Sequence, residues 1–244
     1  MQSGREPIGM IGAMDSELSL LLASMQQSSQ EELYGITFHT GILYDRQIIL
    51  VKAGIGKVNA ARCTQLLIDH YHPAAIINTG IAGGLAPGLQ VGDIVVAEGL
   101  VQHDFDVTAF GHVKGYLCTG EDDRVPTVFH TDKHISDTLV KTAQAVLCKE
   151  KVHKGLIATG DQFISGHESK AVIYDTFHAS AAEMEGGAIA QVAALSGVPF
   201  AVIRAISDLA DGTAAGSYDV FERQAANNSA ATVKQALRLL TEKE

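Results

Sequence analysis

Two carboxylates stand in surroundings that imply chemistry. Asp208 follows Ile203-Arg204-Ala205-Ile206-Ser207, an almost wholly apolar run that reads as a strand. The apolar run partly desolvates a carboxyl group there, a setting that suits general acid work. Its plainer role would be a helix cap, but Leu209-Ala210-Asp211-Gly212 reads as a loop. Glu17 lies in the first turn after another apolar run, residues 8–14. A helix-start carboxylate favoured by the helix dipole explains it as well as a functional role does. Glu185 opens a helix and has the same plain explanation, although Ala181-Ala182 before it and Gly186-Gly187-Ala188 after it favour a buried site.

Other polar groups recur at predicted strand ends. They are Asn78-Thr79-Gly80, Thr159-Gly160-Asp161, Glu183-Met184-Glu185, and Arg204 with Ser207. Each taken singly is better explained as a cap or a solvated strand end, but ligands of open α/β sheets gather at the carboxyl ends of strands. Their recurrence predicts a carboxylate-rich pocket there. Other chemistries find no support. Gly54-Ile55-Gly56-Lys57 and Gly80-Ile81-Ala82-Gly83-Gly84 match neither the dinucleotide fingerprint nor the phosphate loop. His70, His72 and His103 lack metal-ligand spacing, and Ser165 lacks a nucleophile-elbow context. No metal and no cofactor is expected.

The elements that must position these groups follow from periodicity. Strands are predicted over 8–14, 36–42, 47–52, 74–78, 93–101, 155–158, 181–184 and 199–206. The second and third form a hairpin around Asp45-Arg46. Helices are predicted to start at Asp15 and to span 56–70, 134–147, 168–176, 185–195 and 221–240. Residues 80–88 are glycine-rich, and the polar stretch 103–126 reads as a loop. Apolar strands alternating with helices predict a three-layer α/β fold, a central mixed and mostly parallel sheet flanked by helices. The chain of 244 residues, 46% apolar, fits one domain over 1–244.

Composition narrows the partners. The net charge of −10 disfavours nucleic acid. No run approaches the roughly 20 apolar residues of a membrane span, and no signal peptide is recognisable. Cys63, Cys118 and Cys148 form neither a metal pair nor a disulfide framework, as expected of a cytoplasmic protein.

Several segments, in order, carry a family resemblance. They are Ile11-Gly12-Ala13-Met14 with Glu17; Gly54-Ile55-Gly56-Lys57-Val58; Asn78-Thr79-Gly80 with Ala82-Gly83-Gly84-Leu85; and Val91-Gly92-Asp93-Ile94-Val95-Val96. Then come His103-Asp104 with Asp106-Val107-Thr108-Ala109-Phe110-Gly111; Gly160-Asp161 with Phe163-Ile164; Glu183-Met184-Glu185; and Val202-Ile203-Arg204-Ala205-Ile206-Ser207-Asp208. Over nearly its whole length the chain resembles the bacterial methylthioadenosine/S-adenosylhomocysteine nucleosidases of the nucleoside phosphorylase superfamily.

The resemblance implies hydrolysis of the N-glycosidic bond of methylthioadenosine and S-adenosylhomocysteine, in methionine salvage and methyl-cycle recycling, with 5'-deoxyadenosine as a further substrate. It makes Asp208 the acid that protonates the imidazole ring of adenine, held by Ser207, and Glu17 the residue that activates water, with Arg204 helping to hold that water. Glu185 would accept the ribose hydroxyls, with Met184 packed on the sugar. Phe163 would stack on adenine, the backbone of Ile164 would read its edge, and Met14 and Ile55 would line the sugar and thioether region. A homodimer is implied, with Phe110 reaching the partner's pocket. Three positions depart from the pattern: Ile81 where serine is common, Tyr218 where phenylalanine closes over the nucleoside, and His112 where tyrosine is common. The alternatives are a purine nucleoside phosphorylase, an aminodeoxyfutalosine-type nucleosidase and a non-catalytic nucleoside sensor. Glu17 would repel phosphate, and an intact acid–base set exceeds what a sensor needs.

Overall fold

The computed structural model describes residues 6–119, 122–212 and 218–241, with the side chains of 218–220 and 241 left aside. The strands are β1 (Ile8–Gly12), β2 (Gln26–Leu33), β3 (Ile36–Leu43), β4 (Arg46–Lys52), β5 (Ala75–Gly84), β6 (Ile94–Gln102), β7 (Phe129–His130), β8 (Val152–Thr159), β9 (Ala181–Glu183) and β10 (Phe200–Asp208). The α-helices are α1 (Asp15–Ser24), α2 (Lys57–Tyr71), α3 (Lys133–Val146), α4 (His167–Phe177), α5 (Gly186–Leu195) and α6 (Tyr218–Thr241).

All ten strands form one mixed sheet. Strands β4, β1, β5 and β10 run parallel, as do β6, β8 and β9; the second set is antiparallel to the first where β6 meets β10 and β9 meets β5. The β3–β4 hairpin turns at Tyr44 and Asp45, both with positive φ, as the predicted tight turn requires.

Strand pleating sorts the core into two layers. Ile11, Ile49, Val51 and Ile76 face one way and pack with Ala60, Cys63 and Leu67 of α2 and Ile189, Ala190 and Ala193 of α5. Their strand neighbours Met10, Ile48, Leu50 and Ile77 face the other way, onto Leu18 and Leu21 of α1, Leu139 of α3, and α6. In α6 the buried positions Ala226, Ala230, Val233 and Leu237 recur at the spacing of one helical face. Each fully buried aliphatic side chain contributes roughly 1.5–3 kcal/mol. The sheet is thus the middle of three layers. A third cluster holds α4 against β8 through Ile173, Phe177 and Ala158.

Three elements depart from expectation, the least of them the unpredicted two-residue strand β7. Strand β2 is wholly polar and exposed but for its last residue, and sits at the sheet edge; without apolar alternation it gave no sequence signal. The first part of the glycine-rich stretch expected between strands is itself strand, since β5 continues to Gly84. No helix among the described residues is long and apolar enough to cross a membrane.

Candidate active site

The expected convergence of strand ends occurs, but not on one edge of a parallel sheet. The carboxyl end of β5 lies between the end of β10 and the antiparallel β9: Gly83 pairs with Asp208 on one side and with Ala182 on the other. A cavity forms at this meeting point, between the two sets of strands.

Glu17 enters from α1. Gly12 ends β1, Met14 is the extended N-cap, and Glu17 folds back over the first turn. Its Oε2 accepts the N–H groups of Ala13 at 2.6 Å and Met14 at 3.0 Å, so the plain capping role is real. Its other oxygen does something a cap does not require: Oε1 accepts the N–H of Ile81 in β5 at 3.1 Å. The carboxylate lines the cavity and is only 3% exposed. Burial raises its pKa, against the attraction of Arg204 and the three N–H donors.

Asp208 ends β10 on the same cavity. Its Oδ2 accepts the Ser207 hydroxyl at 2.9 Å and its Oδ1 accepts the Ala210 N–H at 2.9 Å. Both oxygens are therefore fixed in direction. Added Cβ atoms at Gly80 and Gly83 would lie 2.6 Å from Glu17 Oε1 and 3.1 Å from Asp208 Oδ1. The two acids thus stand beside strand positions three residues apart, about 10 Å of extended chain.

Glu185 is the N-cap of α5, and its Oε1 accepts the Gly56 N–H at 2.8 Å. Burial, then the repulsion of Glu183, push its pKa up to about 7, against Arg204 and the Gly56 N–H; Glu17 adds to the rise. A carboxylate in this state is a strong acceptor for neutral hydroxyl donors.

Glu183, named among the strand-end groups but with no role of its own expected, organises the others. It lines the cavity, takes the Thr159 hydroxyl and the Arg204 guanidinium, and accepts the N–H of Glu185 at 3.2 Å and Gly186 at 2.7 Å. The signal was the acidic pair around Met184 just before a glycine-led helix, whose free N–H groups need an acceptor. Arg204 lies behind the cavity wall rather than on it. It is held by Glu183, by Asn78 Oδ1 at 2.5 Å and by the Ile203 carbonyl at 3.0 Å. Gly80 separates it from Glu17: the same added Cβ would be 3.5 Å from Arg204 Cζ.

The remaining expected residues divide cleanly. Met14, Ile55, Ile81, Phe163, Met184 and Ser207 line the cavity, with Ile55 and Phe163 more than half exposed at its rim. The Ile164 side chain turns away into the cluster with Leu85 and Phe177. Phe110 lies on a short 3-10 turn, is 81% exposed, and does not line this chain's own cavity. His112 stands 3.1 Å from Asp123 and packs against Tyr116. Tyr218 opens α6, but its side chain lies outside the described residues.

The model of the Phosphorylase superfamily matches residues 7–240. A 5'-methylthioadenosine/S-adenosylhomocysteine nucleosidase of Staphylococcus aureus (strain JH9) is 41% identical over 228 residues, 93% of this chain and 97% of the relative. The chain belongs to the 5'-methylthioadenosine/S-adenosylhomocysteine nucleosidase family of the phosphorylase superfamily. Solved structures agree. An S-adenosylhomocysteine nucleosidase from Streptococcus pyogenes in complex with 5-methylthiotubericidin is 38% identical, with a TM-score of 0.91 over 98% of this chain and 99% of that one. A futalosine hydrolase of Helicobacter pylori strain 26695 is 33% identical, with a TM-score of 0.86 over 95% and 97%. Membership in this family, recognised from motifs in the sequence, is thereby established, as is the mixed α/β fold.

Proposed function

We propose that this chain is an N-glycosyl hydrolase that cleaves 5'-methylthioadenosine and S-adenosylhomocysteine to adenine and the thioribose product. The observation that carries the reading is the pair Glu17 and Asp208: two buried carboxylates that line one cavity. With a nucleoside in that cavity, one acid can serve the leaving base and the other the attacking water, the division of labour of glycoside hydrolysis with inversion.

In the proposed mechanism Asp208, oriented by Ser207, protonates the imidazole ring of adenine and makes it a better leaving group. The developing ribosyl cation is met by water that Glu17 positions and deprotonates. The raised pKa of Glu17 supports this role, because a more basic carboxylate accepts a proton more readily. Glu185 accepts the ribose hydroxyls. Met14, Ile55 and Met184 offer an apolar surface for the sugar and thioether, and Phe163 a face for adenine. Arg204, held by Glu183, faces Glu17 across Gly80 and acts on the attacking water through that carboxylate. Ile81 places an apolar side chain where a serine would offer a hydroxyl.

Phosphorolysis is disfavoured by the cavity wall. Its charged residues are Glu17, Glu183, Glu185 and Asp208, with no lysine or arginine among the lining residues. Four acids would repel phosphate. The futalosine hydrolase likeness keeps a futalosine-type nucleoside as the second reading. We assign the chain to the cytoplasm, as one domain acting as a homodimer. Phe110 supports the dimer, since an exposed aromatic that serves no cavity of its own suits a partner's pocket. The deciding assay is a nucleoside panel with quantified adenine release. Release from methylthioadenosine and S-adenosylhomocysteine is expected; release only from a futalosine-type nucleoside would replace the substrate assignment.

A further inference from the structure

Three residues from the family motifs have no place in the acid–base machinery: Lys57, Asp104 and Asp161. The structure joins them in a closed ring. The Lys57 N–H, at the first position of α2, donates to Asp161 Oδ1 at 2.8 Å. The Asp161 N–H donates to Asp104 Oδ2 at 2.9 Å, and Lys57 Nζ donates to Asp104 Oδ1 at 2.6 Å. Gln102 Oε1 takes a further bond from Lys57 Nζ at 3.2 Å. The ion pair is no loose surface contact, because the two side chains are only 19% and 16% exposed. Burial opposes ionisation of Asp104, but Lys57 and the Asp161 N–H outweigh it and hold the carboxyl below its usual range.

The ring ties together the loops before α2, after β6 and after β8. Two of these carry cavity walls: Ile55 lies two residues before Lys57, and Phe163 two residues after Asp161. The junction is tight. Gly56 has φ +95°, and a Cβ there would lie 3.0 Å from Asp161 Oδ1. The same Gly56 donates its N–H to Glu185. A shift of the ring therefore moves both apolar walls and a partner of the sugar acceptor together.

We propose that Asp104 is a positioning residue: it closes a clamp with Lys57 and Asp161 that fixes Ile55 against Phe163 and so sets nucleoside affinity. This rests on the nucleosidase reading of the cavity. In the full-length enzyme, Asp104→Asn and Lys57→Met should each raise KM for methylthioadenosine about tenfold or more, with kcat within about threefold of wild type. The double variant should be no worse than the poorer single one, because both remove the same bond. Calorimetric binding of methylthioadenosine to Asp104→Asn/Asp208→Asn should weaken by the same factor relative to Asp208→Asn alone. Should Asp104→Asn fail to fold, Lys57→Met alone decides. Unchanged KM in a folded variant, additive losses in the double variant, or a loss confined to kcat overturns the clamp. Should the wild type release no adenine, the nucleosidase reading fails, and adenine binding still decides the clamp: equal affinity in wild type and Asp104→Asn overturns it, and weaker binding in the variant upholds it.

Discussion

A single methyl group added at Gly80 should disable the enzyme while leaving it folded. The Cβ of Gly80→Ala would stand 2.6 Å from Glu17 Oε1 and 3.1 Å from its Cδ, where ordinary contact begins near 3.4 Å. The carboxylate must retreat by about 0.8 Å, the difference between those distances. It cannot retreat freely, because Oε2 is anchored by Ala13 and Met14 N–H groups on its own helix turn. The bond that yields is Ile81 N–H to Oε1, leaving a buried donor unpaired at a cost of about 1–3 kcal/mol. A displacement of nearly 1 Å at the residue that aims the water should lower kcat by about a hundredfold. KM should change little, since Phe163, Met184 and Glu185 are untouched. Steady-state adenine release gives kcat and KM, and thermal unfolding checks the fold. A Gly80→Ala enzyme with kcat within threefold of wild type would refute the placement of Glu17 as the water-activating group.

Further outcomes follow from the same geometry. Asp208→Asn should bind methylthioadenosine nearly as wild type does but lose about 10²–10⁴ in turnover, measured by calorimetry and adenine release; unimpaired turnover would sink the acid role. Glu183→Gln should impair catalysis although Glu183 carries no proton in the proposed chemistry, because it frees Arg204 and the Glu185 turn; a kcat equal to wild type would contradict that. Glu185 has a folded pKa of about 7 against an ordinary 4.5, so the native state binds the extra proton between those values. Its stabilising contribution is complete below about pH 4.5 and is lost as pH rises through about 7. Thermal stability of wild type should therefore fall across that window more than that of Glu185→Gln, and parallel curves for the two proteins would disprove the shift.

The sequence was legible where one physical cause dominated. Strands such as β10 and helices such as α6 bury continuous or periodic apolar residues, and their positions could be read directly. Strand β2 could not, because Gln26–Leu33 is specified by pairing with β3 at the edge and not by burial. The Gly80–Gly84 stretch was read as lying between strands, because glycine has low strand propensity. Its glycines are needed where Glu17 and Asp208 crowd against the backbone. Glu17 was recognised both as a helix-start carboxylate and, through the family motif, as a catalytic one, and the geometry contains both arrangements. The role of Glu183 was not legible, because it consists of bonds to Thr159, Arg204 and α5, which only the tertiary arrangement brings together. The antiparallel pairing of β5 with β9 was likewise invisible, since strand direction is set by topology and leaves no local trace.

The central claim is that water, directed by Glu17, is the nucleophile. It is tested most directly by cleaving methylthioadenosine in ¹⁸O-labelled water with and without inorganic phosphate, with free adenine and the sugar product analysed by mass spectrometry. Equal adenine release in both conditions, with the label at the sugar's anomeric carbon, is the predicted result. Phosphate-dependent release, with an unlabelled sugar 1-phosphate as product, would contradict it.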